Sequence, residues 1–124
     1  MLNSARLIGF VPTTDLDRAR VFYQDVAGLE LQDMNPFAAV FRSGTTMLRV
    51  TKVEELTPHP FTVLGWMVDD IHKTIGELAA KGVEVKTYEG MGQDADGVWT
   101  TPAGELVAWF GDPDGNTLSL TQFR

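Results

Sequence analysis

The sequence predicts an α+β fold in which two βαβββ modules form curved mixed sheets around a concave pocket. Two observations predict it. A strand–helix–strand–strand–strand pattern occurs twice along the 124 residues. The motif that closes the first helix, Ala27-Gly28-Leu29-Glu30-Leu31, also returns 54 residues later as Lys81-Gly82-Val83-Glu84-Val85. Asp15 and Asp69 share that offset, each beside a helix start. Each half is too small to bury its own sheet face alone, so the halves must pack together or across a dimer.

The elements follow in order. Residues 7–11 form an apolar run ending at Pro12, a strand with a breaker behind it. Asp15 is a good N-cap, and Asp17 adds an acidic group to the first helical turn. Leu16, Ala19, Phe22, Tyr23 and Val26 then recur at helical spacing, and Gly28 ends the helix. Strands follow at 29–31, 37–41 and 46–53, the last two joined by a turn at Ser43-Gly44. Residues 54–60 carry Pro58 and Pro60 without periodicity and read as a linker. The chain is therefore one domain, with modules at residues 1–53 and 61–124.

The second module repeats the plan. A strand at 62–68 leads to a helix capped by Asp69 and Asp70, with Ile71, Ile75, Leu78 and Ala79 on one face and Gly82 at its end. Residues 83–85 read as a strand and 88–97 as a glycine- and aspartate-rich loop. Strands at 106–110 and 117–123 are joined by Asp112-Pro113-Asp114-Gly115-Asn116, where Pro and Gly stand where a turn needs fixed or positive φ.

Composition narrows the function classes. A chain that is 44% hydrophobic and 22% charged is that of an ordinary soluble domain. There is no cysteine, hence no disulfide, thiolate metal site or cysteine nucleophile, which fits a reducing cytoplasm. No apolar run has the length of a membrane span, and the N-terminus lacks the pattern of a signal peptide. The net charge is −7 and no Lys/Arg cluster exists, which sets nucleic acid aside.

Particular residues then carry a resemblance. Asp15-Leu16-Asp17-Arg18-Ala19, Phe22-Tyr23 and Gly28-Leu29 resemble the first-half signature of the vicinal-oxygen-chelate superfamily, the glyoxalase, bleomycin-resistance and dioxygenase type. Val68-Asp69-Asp70-Ile71, Leu78 and Gly82-Val83 are similar to its second half. Thr101-Pro102-Ala103-Gly104, Phe110 and the 112–116 turn resemble its closing hairpin. The set spans nearly the whole chain. It is specific for fold and not for activity, because the superfamily hosts isomerases, dioxygenases, thiol transferases and metal-free drug-binding proteins.

Metal-dependent members place His, Gln or Glu from four strands onto one divalent cation. The resemblance puts those positions on Ile8, Arg49, Val63 and Ser119. Isoleucine and valine have no donor atom, arginine repels a cation, and serine alone is a poor ligand. The only histidines are His59, in the linker, and His72, just after a helix start and facing solvent. No metal and no cofactor is expected.

Strand alternation then defines the site. If Ile8 faces the pocket, so do Phe10 and Pro12. Arg49 brings Met47 and Thr51. Val63 brings Gly65 and Met67. Ser119 brings Thr117 and Thr121. The opposite parity, Leu7, Val11, Leu64, Trp66, Val68, Leu118 and Leu120, packs under the helices. Trp109 either lines the pocket or fills the core, and Trp99 is a lid or a dimer contact. Arg49 either holds a ligand or sits in a structural ion pair. The expected ligand-binding set is Ile8, Phe10, Met47, Arg49, Val63, Met67, Trp99, Trp109 and Ser119.

Three functions compete. The first is a metal-independent small-molecule binding protein that sequesters an antibiotic, its ligand cationic or aromatic and its working form a homodimer. The second is a lyase, isomerase or dioxygenase with an atypical site, in which Arg49 holds an anionic group and Glu30 or Glu84 serves as base. The third is a non-catalytic regulatory or subunit domain. The sequence leaves open whether one chain or two build each groove.

Overall fold

The computed structural model describes residues 1–124. Its elements are β1 (Ile8–Thr13), α1 (Leu16–Arg20), β2 (Glu30–Met34), β3 (Ala38–Ser43), β4 (Thr46–Lys52), β5 (Thr62–Met67), α2 (Ile71–Ala80), β6 (Trp99–Thr100), β7 (Leu106–Gly111) and β8 (Thr117–Gln122). A short 3-10 turn, Leu2–Ser4, precedes them. The chain divides into two compact units, Met1–Thr57 and Pro58–Arg124. Each holds one four-stranded mixed sheet, in the order β1-β4-β3-β2 or β5-β8-β7-β6, so the glyoxalase/bleomycin-resistance arrangement expected from the sequence is present. No helix is long and apolar enough to cross a membrane.

In the first unit β1 runs parallel to β4, and β3 pairs antiparallel with β4 and β2. The Asp15 carboxylate accepts the Arg18 N–H at 3.0 Å and caps α1. The helix does not stay α-helical. From Val21 to Val26 it widens into π turns, and Ala27 N–H reaches back five residues to the Phe22 carbonyl. Phe22 and Tyr23, adjacent in sequence, are both buried there and meet edge to face at 5.0 Å. They cover one face of the sheet, formed by Val11, Phe41, Leu48 and Val50. Burial of such side chains is worth about 1.5–3 kcal/mol each.

Pro12 does not end β1 but lies inside it, because β1 is an edge strand and needs no ladder donor on its open side. Leu7 corrects a second expectation. It precedes the strand, is 76% exposed and packs under no helix.

The second unit repeats the topology with β5 parallel to β8. Asp70, and not Asp69, caps α2 by accepting the Lys73 N–H. Ile71, Ile75 and Leu78 pack on the face made by Ala108, Phe110, Leu118 and Leu120, and Trp66 stacks on Phe110. Residues 83–85 form no strand. Gly82 and Val83 spend their N–H groups on the Ala79 and Leu78 carbonyls, closing the helix instead of starting a ladder. The outer edge of the sheet is taken by Trp99–Thr100, paired with Val107 and Leu106. The closing turn is as expected: one Asp112 carboxylate oxygen accepts the N–H groups of Asp114 and Asn116, and the other accepts the Asn116 side-chain amide.

Candidate functional site

Each helix covers one sheet face, so the candidate site residues belong to the other. In the first unit the register sets Ile8 beside Met47, Phe10 beside Arg49 and Pro12 beside Thr51. Across β4 the same row continues to Arg42, Val40 and Ala38. Ile8 is 45% exposed and Phe10 62%. Arg49 is half-buried, and its guanidinium forms neither an ion pair nor a hydrogen bond. The structural ion pair anticipated as one role for Arg49 is therefore not made. One row along, the Thr51 hydroxyl is buried without a partner, a polar atom whose demand is unmet. A cavity of about 310 Å³ opens at the other end of this face, between Ile8, Met47, Arg42 and Gln32.

Glu30 shares this face, and its chemistry is already committed. It pairs with Arg42, and that hydrogen bond, then one from Gln32 and the arginine's charge, hold its carboxyl below the usual carboxylate range. A carboxylate so stabilised is a weak base. Glu84 is exposed and lies on no strand.

In the second unit Gly65, Ser119 and Trp109 form one cross-strand row, and Met67, Thr121 and Val107 the next. Val63 sits at an irregularity in β5, between the paired Thr62 and Leu64. Ser119 is buried and packs directly on Gly65: a methyl group added there would meet the serine hydroxyl at 2.6 Å. Met67 is 75% exposed. Trp109 turns away from the helix-covered face and stacks with Trp99 at 6.1 Å. Trp99 pairs with Val107 in β6, so it is a sheet residue and not a loop lid.

The surroundings of Trp109 were not legible in the sequence. Tyr88 meets its ring edge to face at 5.6 Å. A cavity of about 280 Å³ lies against Trp109, Tyr88, Met91, Phe61, Thr62 and Thr117. Gln93 organises this wall. Its amide nitrogen donates to the carbonyls of Lys86 and Gly97, and its oxygen accepts the Tyr88 N–H at 2.6 Å. The Lys86 N–H in turn donates to the Trp109 carbonyl at 2.7 Å. A polar side chain in a glycine-rich loop gives no periodic signal, so only the fold reveals this knot.

His72, expected from the sequence to face solvent, is bound to the acidic loop. Its Nε2 lies 2.9 Å from an Asp94 oxygen and 4.0 Å from Asp96. Asp94 also accepts the N–H groups of Asp96 and Val98, so it is a loop organiser and not merely a solvated charge. The hydrogen bond to Asp94 raises the His72 pKa, and the same bond lowers that of Asp94.

The donor set can be judged against a divalent cation. Ile8 and Val63 offer no donor atom, Arg49 is itself a cation, and Ser119 offers a neutral hydroxyl. In neither unit do three His, Asp or Glu side chains form a group that could hold a metal ion. These residues do not fit a metal.

Residues 5–120 match the sequence model described as Glyoxalase/Bleomycin resistance protein/Dioxygenase superfamily. No curated protein sequence matches the chain. Among solved structures the chain is similar to TnmS3, an antibiotic binding protein from Streptomyces sp. CB03234, at 26% identity and TM-score 0.76, covering 100% of this chain and 99% of that one. A superfamily member from Sphaerobacter thermophilus DSM 20745 gives 19% identity and TM-score 0.76 over 99% and 100%. The lactoylglutathione lyase of Agrobacterium tumefaciens gives 22% and 0.74 over 96% and 93%. At those two identities the likeness is one of fold alone. With the family model spanning nearly its whole length, the chain belongs to the glyoxalase/bleomycin resistance protein/dioxygenase superfamily.

Proposed function

We propose that this chain is a metal-independent, cytoplasmic small-molecule binding protein that sequesters an aromatic compound, of the kind exemplified by antibiotic binding, and works as a homodimer. One observation carries the reading. The strand positions Ile8, Arg49, Val63 and Ser119 hold no cation-binding donor set, while the same sheet faces present Phe10, Met67, Trp99 and Trp109. Apolar and aromatic walls with a few polar groups suit the binding of a ring system better than hydrolysis or redox chemistry. The likeness to an antibiotic binding protein at 26% identity, end to end, supports the same class. Of the two bases the sequence offers, Glu30 is tied to Arg42 and Glu84 is exposed and lies on no strand.

The test is metal content by elemental analysis, with thermal shifts for zinc, manganese, nickel and iron(II), set beside a panel of aromatic drugs, cationic and neutral. The expected result is no chelator-sensitive metal shift and a higher melting temperature with at least one aromatic compound. At a hundredfold excess over Kd, mass action adds about 2.7 kcal/mol, a rise on the order of 10 °C for a domain of this size. Stoichiometric metal, or a metal shift abolished by chelator, would overturn the proposal and restore the enzyme reading.

A further inference from the structure

We infer that the cavity beside Trp109 is a recognition site for a planar aromatic ring bearing an anionic oxygen, a carboxylate or a phenolate. This rests on the small-molecule-binding reading and names the ligand's chemistry within it.

The ring end of the site is built by Trp109, Tyr88, Phe61 and Met91. Trp109 is fixed from two sides, stacked by Trp99 and met edge-on by Tyr88. Aromatic walls held at such an angle accept a further flat ring by stacking on one and touching the edge of the other. A cavity of about 280 Å³ is of the size that one or two fused rings fill.

The polar end comes from Lys86. Its ammonium donates to the Thr117 hydroxyl at 3.2 Å, and it forms no ion pair. Thr117 and Gly111 are cross-strand partners, and Trp109 follows on the same face. The lysine stem runs over Gly111, where an added methyl would be in ordinary contact with Lys86 Cε at 3.5 Å. The Lys86 backbone is fixed by its N–H bond to the Trp109 carbonyl and by Gln93, and its amine is held on the Thr117 hydroxyl. An ammonium has three N–H donors, and one is used. The Thr117 hydroxyl accepts from Lys86 and so keeps its own proton to donate. The Thr117 hydroxyl lines the cavity with the Lys86 ammonium bonded behind it, and no carboxylate is among the lining residues. That arrangement selects an anionic oxygen on an aromatic ring and disfavours a cationic ligand, in spite of the net charge of −7.

Three matched probes test this by calorimetry: 2-naphthoate, 2-naphthylmethanol and 2-naphthylmethylammonium. The expected order is naphthoate tightest, by about tenfold over the alcohol, the size of one partly exposed charge-assisted hydrogen bond. Lys86→Gln should erase that preference while the alcohol binds as before, and Lys86→Arg, which keeps the charge, should retain it. Naphthoate should shift the Trp109 indole N–H and the Gln93 side-chain amide in NMR spectra. Equal or better binding of the ammonium probe, an unchanged preference in a folded Lys86→Gln, shifts confined to other residues, or no binding of naphthoate would each overturn the assignment. If drugs still raise the melting temperature in any of those cases, the broader binding function stands and only the ligand chemistry falls. If no aromatic compound does so, both fall.

Discussion

The contact between Gly65 and Ser119 shows how a single atom constrains the site face. The serine hydroxyl occupies the space a side chain at position 65 would need, with 2.6 Å between it and an added methyl. The neighbour is a short side chain on a paired strand, so it cannot swing far aside. Gly65→Ala should therefore destabilise by about 1–3 kcal/mol. Removing the hydroxyl as well, in the double variant with Ser119→Ala, should recover most of that loss, because the serine Cβ lies 3.9 Å away, an ordinary contact distance. A double-mutant cycle in denaturant measures the coupling. Additive effects would show that the hydroxyl is not what excludes alanine. The result matters for function because the sequence resemblance assigns Ser119 to a metal-ligand position, whereas in the structure it packs between strands.

At the scale of elements, the link between α2 and the loop before β6 should respond to pH. The bond from His72 to Asp94 raises the histidine's pKa above its usual 6.5 or so, and lowers that of the aspartate. The sign follows from each shift. The histidine contribution is complete below its unfolded value and fades as pH rises through the raised folded value. The aspartate contribution is complete above its unfolded value and fades as pH falls through the depressed one. The link is therefore strongest in mildly acidic solution. Both groups are about half exposed, so the effect is local. Exchange of the Val98 amide, which Asp94 accepts, should quicken as pH rises past the His72 midpoint, beyond the intrinsic rise seen in His72→Gln. In Asp94→Asn the His72 midpoint, read by NMR, should fall toward 6.5. A midpoint that stayed put would show that Asp94 does not set it. Elements also show what a sequence makes legible. Alternation is local, and it shows at Val11 and Leu118, buried, against Phe10 and Met67, exposed, but not at Leu7, which is exposed, or at Thr117 and Ser119, which are buried. Asp15 and the 112–116 turn came through because their bonds span three or four residues. Residues 83–85 misled because apolar alternation shows only that a segment suits an edge. Which segment pairs there is decided at a distance, and Trp99–Thr100 holds that edge. The π turns, the Gln93 knot and the Lys86 amine were hidden for the same reason, since each depends on partners that no periodicity announces.

At the scale of the whole molecule, the open sheet faces set the expectation for assembly. In each unit the helix covers one face, and the other leaves large apolar groups in the open, Phe10 at 62% and Met67 at 75% exposure. Phe37 and Leu7, at 76% each, add to this outside those faces. Scattered apolar side chains are normal on a surface, but clustered ones mark contacts. A binding protein whose ligand fills only a small cavity still needs the remainder covered. A second copy of the chain would do so with the same patches on both partners, the symmetry most soluble oligomers adopt. Sedimentation equilibrium at micromolar concentration should accordingly give twice the chain mass, and Met67→Asp, which puts a charge on the exposed strand face without touching the core, should shift the equilibrium toward monomer. A single-chain mass for the unaltered protein at that concentration would remove the homodimer from the proposal. It would leave each unit's own cavity, and the lysine beside Trp109, to account for binding alone.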